Sequence, residues 1–311
     1  MGAPLAFLFP GQGSQAVGMG KDLCNRFAVA RQVFTEADQV LGFALSELCF
    51  NGPIEELTLT ANTQPALLAT SYALTRVLRA ELDIQPAWAA GHSLGEFSAL
   101  VAAGALSFAA ALRVVRERGL AMQEAVAPGV GSMAAIIGLD RTAVASICDA
   151  AAGGQVVNAA NLNGGGQVVI AGHREAVERA ATLAKARGAK RVVPLAVSAP
   201  FHCALMQPAA DRLARVLDAI PVAPFQFPVI TNVEAAACTD PARVKRLLVR
   251  QVVSPVRWEE CIAALARLGC TAAIEVGPGR VLTGLVKRIA PQIVCTPADD
   301  LDALRAAAGA A

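Results

Sequence analysis

The chain has 311 residues, of which 55% are hydrophobic and 17% charged, with 27 Lys and Arg against 25 Asp and Glu. At about 150 residues per domain this length fits two domains, the apolar content excludes a disordered chain, and a net charge of +2 without a basic run argues against a nucleic-acid partner. The eight cysteines are never closer than nine positions apart, too far for a metal knuckle or a Cys-x-x-Cys, and read as small buried hydrophobes of a reducing cytoplasm.

Leu5-Ala6-Phe7-Leu8-Phe9 is an apolar run closed by Pro10 and Gly11, the pattern of a short buried strand, and helical spacing follows over 21–41. A helix is predicted over 64–82, then a strand of small residues over 87–91 that runs into Gly91-His92-Ser93-Leu94-Gly95. Helices over 95–105 and 107–126 come next. Strands alternating with helices imply an α/β fold with a mostly parallel sheet covered on both faces. The most apolar uncharged stretch, 97–112, is shorter than the roughly 18 residues of a spanning helix, so no membrane segment is expected. Met1-Gly2-Ala3-Pro4 lacks a basic flank or cleavage signal, and Ala6 does not fit the myristoylation pattern. The expected compartment is the cytoplasm.

Past Pro128-Gly129-Val130-Gly131 the elements shorten: strand 133–139, helix 141–152, strands 155–161 and 167–172, helix 174–188, strand 191–197. This β-α-β-β-α-β order is the split, ferredoxin-like unit, with Asn161-Leu162-Asn163-Gly164-Gly165-Gly166 as its central turn. After Pro200 the alternation resumes with a helix over 205–220, a strand over 228–231, helices over 241–250 and 257–268, a strand over 272–276 and a helix after Gly279. A small ferredoxin-like domain over 129–197 is thus predicted as an insertion in a large α/β domain made of 1–128 and 198–311. The Ala-rich end, 306–311, is expected to fray.

Glycines two before and two after Ser93 fit a strand-turn-helix elbow that exposes a nucleophilic serine at the sheet edge. Serine needs a neighbouring base, and the chain has three histidines. His92 adjoins Ser93 and points to the other face of the strand, and His173 precedes a helix where polar residues cap or face water. His202, in the apolar Ala199-Pro200-Phe201-His202-Cys203, is left as the base. No acidic residue identifies itself as a third member, which leaves a backbone carbonyl or an amide side chain to orient the ring. No histidine follows His202, whereas ordinary α/β-hydrolases place theirs near the C-terminus, so a common lipase or thioesterase is disfavoured.

On the helix over 107–126, Leu112, Val115, Gly119, Met122 and Val126 form one apolar stripe. At 100° per residue Arg118 and Arg116 each lie roughly 80° from its centre, on opposite flanks, and Arg113 about 140°. Arg118 and Arg116 are therefore nearer the core than Arg113, although an arginine on such a flank ordinarily carries its head to water.

Phe9-Pro10-Gly11-Gln12-Gly13-Ser14-Gln15, the Gly91–Gly95 elbow followed by Glu96, Arg116-Glu117-Arg118-Gly119, Ala199-Pro200-Phe201-His202 and Glu275-Val276-Gly277-Pro278-Gly279 together resemble the malonyl-CoA:acyl carrier protein transacylase family over about residues 5–290. The resemblance implies a hydrolase-like large domain with the ferredoxin-like insertion. It implies Ser93 as the acylated residue, His202 as base and acid, and Gln12 and Leu94 as the backbone N–H donors of an oxyanion hole. Arg118 would hold the substrate carboxylate, Gln251 would line the site, and Phe201 matches a malonyl-selective pattern. By position alone Gln251 is a helix-end surface residue, and a glycine turn would explain the surroundings of Gln12 equally well. The implied partners are malonyl-CoA, a substrate and not a cofactor, and an acyl carrier protein. No cofactor, metal or nucleic acid is implied, and a monomer is expected. Carriers of fatty acid, polyketide and malonate decarboxylase systems all fit, and a serine thioesterase would use the same Ser93 and His202.

Overall fold

The computed structural model describes residues 4–195, 197 and 199–298, so the Ala-rich end over 306–311 lies outside the described residues. The first half of the chain forms β1 (Leu5–Phe9), α1 (Lys21–Arg26), α2 (Ala28–Leu41), α3 (Leu45–Asn51), α4 (Ile54–Thr58), α5 (Thr60–Glu81), β2 (Trp88–Gly91), α6 (Gly95–Ala102) and α7 (Phe108–Glu124). Next come β3 (Gly131–Ile137), α8 (Arg141–Ala152), β4 (Val157–Gly164), β5 (Gln167–His173), α9 (Arg174–Ala186) and β6 (Arg191–Pro194). After a short 3-10 turn (Ala204–Met206) the chain continues through α10 (Gln207–Asp218), β7 (Val229–Ile230), β8 (Ala237–Cys238), α11 (Pro241–Val253), α12 (Trp258–Arg267), β9 (Ala272–Glu275), α13 (Val281–Ile289) and β10 (Val294–Pro297).

Two sheets result. The larger has the order β10-β9-β1-β2-β7-β8 and is parallel except for β8 on β7. Both of its faces are buried, as the alternation in β1 shows: Phe7 and Phe9 enter the core with Leu67 and Leu68 of α5 and Leu112 and Val115 of α7. Ala6 and Leu8 point the other way, onto Trp258 and Ile262 of α12 and Leu285 of α13. The smaller sheet, β4-β5-β3-β6, is antiparallel, which is the strand order of the ferredoxin-like unit. Its Ala134, Ile136, Val168 and Ile170 face α8 and α9. The alternate residues Met133, Ala135, Val169 and Ala171 join the core of the larger sheet, so the small unit packs against the large one through that face.

Several elements depart from the sequence expectation for identifiable reasons. The helix over 21–41 is broken at Phe27, which is extended (φ −125°, ψ 124°) and lets Leu23, Cys24, Ala30, Val33 and Phe34 all reach one core. α5 starts at Thr60 rather than residue 64, because Asn62 and Thr63 bond the carbonyls of Glu56 and Leu57 and tie its first turn to α4. The helices α3 and α4 and the short strands β8 and β10 carried no sequence signal strong enough to place them. The supposed turn over 161–166 is mostly strand: β4 runs to Gly164, and only Gly165 and Gly166 turn. Register shifts at Ala159/Asn161 and Leu162/Gly164 bulge this strand, and bulges re-aim side chains. Asn161 and Asn163 consequently line a cleft of about 380 Å³ between the sheets, together with Gln12 and His92.

Candidate active site

The elbow forms because β2 and α6 meet more closely than side chains allow. A Cβ on Gly91 would lie 1.9 Å from the Gly95 carbonyl oxygen, and one on Gly95 would lie 2.0 Å from that of Phe9. Between them Ser93 takes a left-handed backbone, φ +52°, which costs an L-residue energy that the surroundings must offset. Asn232, fully buried just past β7, supplies the clamp. Its Oδ1 accepts from the Ser93 N–H at 2.8 Å and its Nδ2 donates to the Gly91 carbonyl at 2.7 Å.

The Ser93 Oγ lies 2.7 Å from His202 Nε2. His202 Nδ1 lies 2.9 Å from the Gln251 carbonyl oxygen, so Nδ1 carries the proton and Nε2 is left to accept from the Ser93 hydroxyl. A backbone carbonyl thus orients the ring. Like Ser93, His202 sits in the left-handed region, φ +60°. Burial, with the charge of Arg118 second, pushes its imidazole down to about 3, so the ring is neutral at physiological pH.

Arg118 does not carry its head to water: it is 2% exposed. Gly119 brings α7 against the start of α5, where a Cβ would lie 2.7 Å from the Ala61 Cα, and this places Arg118 Nη1 2.8 Å from Gln64 Oε1. Its Nη2 donates to Ser93 Oγ at 3.1 Å and to Gln251 Oε1 at 2.9 Å, and its carbon lies 5.4 Å from the Phe97 ring centre. Burial lowers the guanidinium to about 10, opposed by the Glu96 carboxylate. Its Nε is buried without a hydrogen-bond partner. Arg116, on the opposite flank, is half-buried and bonds Asn62, and Arg113, farthest from the stripe, is exposed.

The structure therefore brings Ser93, His202, Arg118 and Gln251 into direct contact. Gln251 is fully buried, not a surface residue; its Nε2 donates to the Ser93 carbonyl at 3.0 Å and to Glu96 Oε2 at 2.8 Å. Leu94 follows Ser93 immediately before α6. Gln12, in the loop after β1, is held by Nε2 donating to Thr60 Oγ1 at 3.2 Å. No hydrogen bond among the described residues uses the backbone N–H of Gln12 or Leu94. Phe201 is buried in the core beside His202. His92 lies outside the Ser93–His202 pair: its Nε2 meets Asn163 Oδ1 at 2.9 Å and its ring leans on Trp258. His173 makes no side-chain cap to α9; its Nδ1 accepts from the Val156 N–H at 3.0 Å. Asn232, Gln64 and the placement of Glu96 were not anticipated.

Glu96 and His202 impose opposite pH dependences on stability. The fold holds the Glu96 proton more tightly than the unfolded chain does, since burial raises the carboxyl from 4.5 to about 7; its contribution is present below 4.5 and is lost as pH rises through 7. His202 binds its proton less tightly when folded, so its contribution is lost as pH falls from 6.5 towards 3. In thermal melts above pH 7, Glu96→Gln should therefore be at least as stable as wild type, with the gap closing as pH drops to 4.5. A gap that widens on acidification would contradict this sign.

A family model described as an acyl transferase domain matches residues 6–302. A malonyl CoA-acyl carrier protein transacylase of Salmonella typhimurium is 50% identical over 302 residues, 97% of this chain and 98% of that protein. Among solved structures, an acyl carrier protein S-malonyltransferase from Vibrio cholerae superimposes with a TM-score of 0.95 at 51% identity, covering 97% of this chain and all of that one. A malonyl-transacylase solved in complex with its type II polyketide acyl-carrier protein superimposes at 0.93, with 50% identity and 95% and 96% coverage. No described helix is long and apolar enough to cross a membrane.

Proposed function

Given that the chain belongs to the acyl transferase domain family, we propose that it moves the malonyl group of malonyl-CoA to the phosphopantetheine thiol of an acyl carrier protein through a malonyl-Ser93 intermediate. One observation carries this: Ser93 Oγ lies within hydrogen-bond reach of both a neutral base, His202, and a buried cation, Arg118. A nucleophile needs the first. Only a substrate with a carboxylate close to its reacting carbonyl needs the second, and malonyl places one methylene between the two.

In the first half-reaction Ser93 Oγ attacks the thioester carbon while His202 Nε2 takes the hydroxyl proton. The N–H groups of Gln12 and Leu94 receive the oxyanion, Leu94 with the helix dipole of α6 behind it. The C–S bond breaks and His202 returns the proton to the CoA sulfur. In the second half-reaction the carrier thiol gives its proton to His202 and attacks the ester, and Ser93 leaves with that proton. The substrate carboxylate contributes beyond binding. By pairing with Arg118 it screens the charge that, second to burial, depresses His202, so the base strengthens when malonyl is in place. The cleft between the sheets leads past Gln12, Asn163 and His92 and suits the thioester arm.

Incubation with malonyl-CoA alone should release about one equivalent of CoA and stop, and turnover should resume when holo carrier protein is added. Continuous CoA release without carrier would make the chain a serine thioesterase instead.

Carrier proteins are generally acidic, and this chain exposes Lys190, Arg191, Arg246, Lys287 and Arg288; Arg288 reaches Gln167 on the wall of the cleft. The rate of the carrier half-reaction should fall with added salt, as steered association does. A salt-independent rate would show that these residues do not steer the carrier.

A further inference from the structure

Glu96 is a buried carboxylate to which the chemistry above gives no task. It lies in the first turn of α6, 2% exposed. Its Oε2 accepts from the Asn232 N–H at 2.9 Å and from Gln251 Nε2 at 2.8 Å. Among the described hydrogen bonds none joins it to Arg118, the cation that acts on it; Arg118 Nη2 meets Gln251 Oε1 instead, at 2.9 Å. The Gln251 amide therefore stands between acceptors and a cation, its NH₂ towards Glu96 Oε2 and the Ser93 carbonyl and its C=O towards the guanidinium.

An amide can be turned over with almost no change of shape, and the donors and acceptors at its two ends decide between the orientations. Turned over, it would point NH₂ at the guanidinium and oxygen at the carboxylate, donor against donor and acceptor against acceptor. Arg118 would then lose an acceptor that holds Nη2 beside Ser93. We propose that Glu96 is a positioning residue for malonyl selection: it fixes the Gln251 amide so that Gln251 Oε1 holds the Arg118 guanidinium where the substrate carboxylate arrives. The separation of charges also matters. A carboxylate bound directly to Arg118 would compete with the substrate, whereas one placed behind an amide steadies the cation and leaves its open face free.

This inference rests on Arg118 holding the malonyl carboxylate, and the test separates the two. The measurement is kcat and KM for malonyl-CoA and acetyl-CoA in wild type, Glu96→Met and Glu96→Gln. Methionine keeps the length of the side chain but offers no carboxylate oxygen, and the malonyl:acetyl ratio of kcat/KM should fall by about 10-fold or more, mainly through the malonyl KM, as expected for loss of a charge-assisted hydrogen bond. Glutamine can accept both hydrogen bonds through one carbonyl oxygen and should keep the ratio within about 3-fold of wild type. If the methionine variant does not fold, Glu96→Asp takes its place: its acceptor falls one methylene short, and the ratio should again drop. Equal losses for both thioesters, or an unchanged ratio in the methionine or aspartate variant, would overturn the inference and make Glu96 structural. A wild-type enzyme without malonyl preference would overturn the reading of Arg118 as well, before any variant is made.

Discussion

Ser93→Ala is expected to form no acyl-enzyme, and His202→Ala to form it roughly 10²- to 10⁴-fold more slowly, the span of general acid–base assistance. The first follows because no other hydroxyl occupies the place of Ser93 Oγ, 2.7 Å from His202 Nε2 and 3.1 Å from Arg118 Nη2. The second is smaller because the oxyanion donors and Arg118 remain when the imidazole is gone, so part of the transition-state stabilisation survives. His173→Ala should leave the rate unchanged, since His173 is engaged with the Val156 N–H at the β4–β5 pairing. Rapid-mixing measurement of CoA release from malonyl-CoA reads all three. A crippled His173→Ala beside a competent His202→Ala would put the base in the wrong place.

Arg118→Ala is expected to change the substrate more than the machinery. Malonyl and acetyl thioesters share the carbonyl, Ser93 and the oxyanion donors, and differ only in the carboxylate. Hydrogen bonds to charged groups are worth about 1.5 to 3 kcal/mol each, and the fork of a guanidinium can offer two to a carboxylate. At about 1.4 kcal/mol per decade, kcat/KM for malonyl-CoA should fall by roughly 10²-fold or more. Acetyl gains no ion pair from Arg118, and it leaves a buried cation without a counter-charge. Removing the guanidinium also lifts one of the influences, second to burial, that hold His202 at about 3. Acetyl transfer should therefore stay level or rise. The substitution leaves Gln64 Oε1 and Gln251 Oε1 without their donor, so a lower melting temperature should accompany the change of preference. Equal losses for the two thioesters would make Arg118 a structural residue.

The parts of this site that the sequence displays are those whose chemistry is local. The elbow is written in five consecutive residues because its glycines answer a steric demand within one turn. His202 emerges by elimination among three histidines, and Arg118 by the motif around it, its angle on the helix excluding only Arg113. Asn232 was invisible because its clamp joins residues 139 and 141 positions away, and an asparagine after a two-residue strand has no periodic signature. Gln251 could have been placed inside: it falls on the stripe of Val244, Leu247 and Leu248, all buried. Its position near the end of α11 pointed the other way. Its decisive contribution to His202, a backbone carbonyl, is one no side-chain pattern encodes. In the fold, the strand–helix alternation and the split β-α-β-β-α-β order could be read directly. The break at Phe27 could not, because tertiary packing and not a helix-breaking residue creates it.

The central claim is a malonyl group carried on Ser93, and the most direct test is the mass of the intact protein after malonyl-CoA and again after holo carrier protein is added. A single added malonyl group is expected on the peptide containing Ser93, stable in the absence of carrier and transferred to the carrier thiol when it arrives. An unmodified protein that nevertheless passes malonyl to the carrier, or an adduct on a residue other than Ser93, would contradict it.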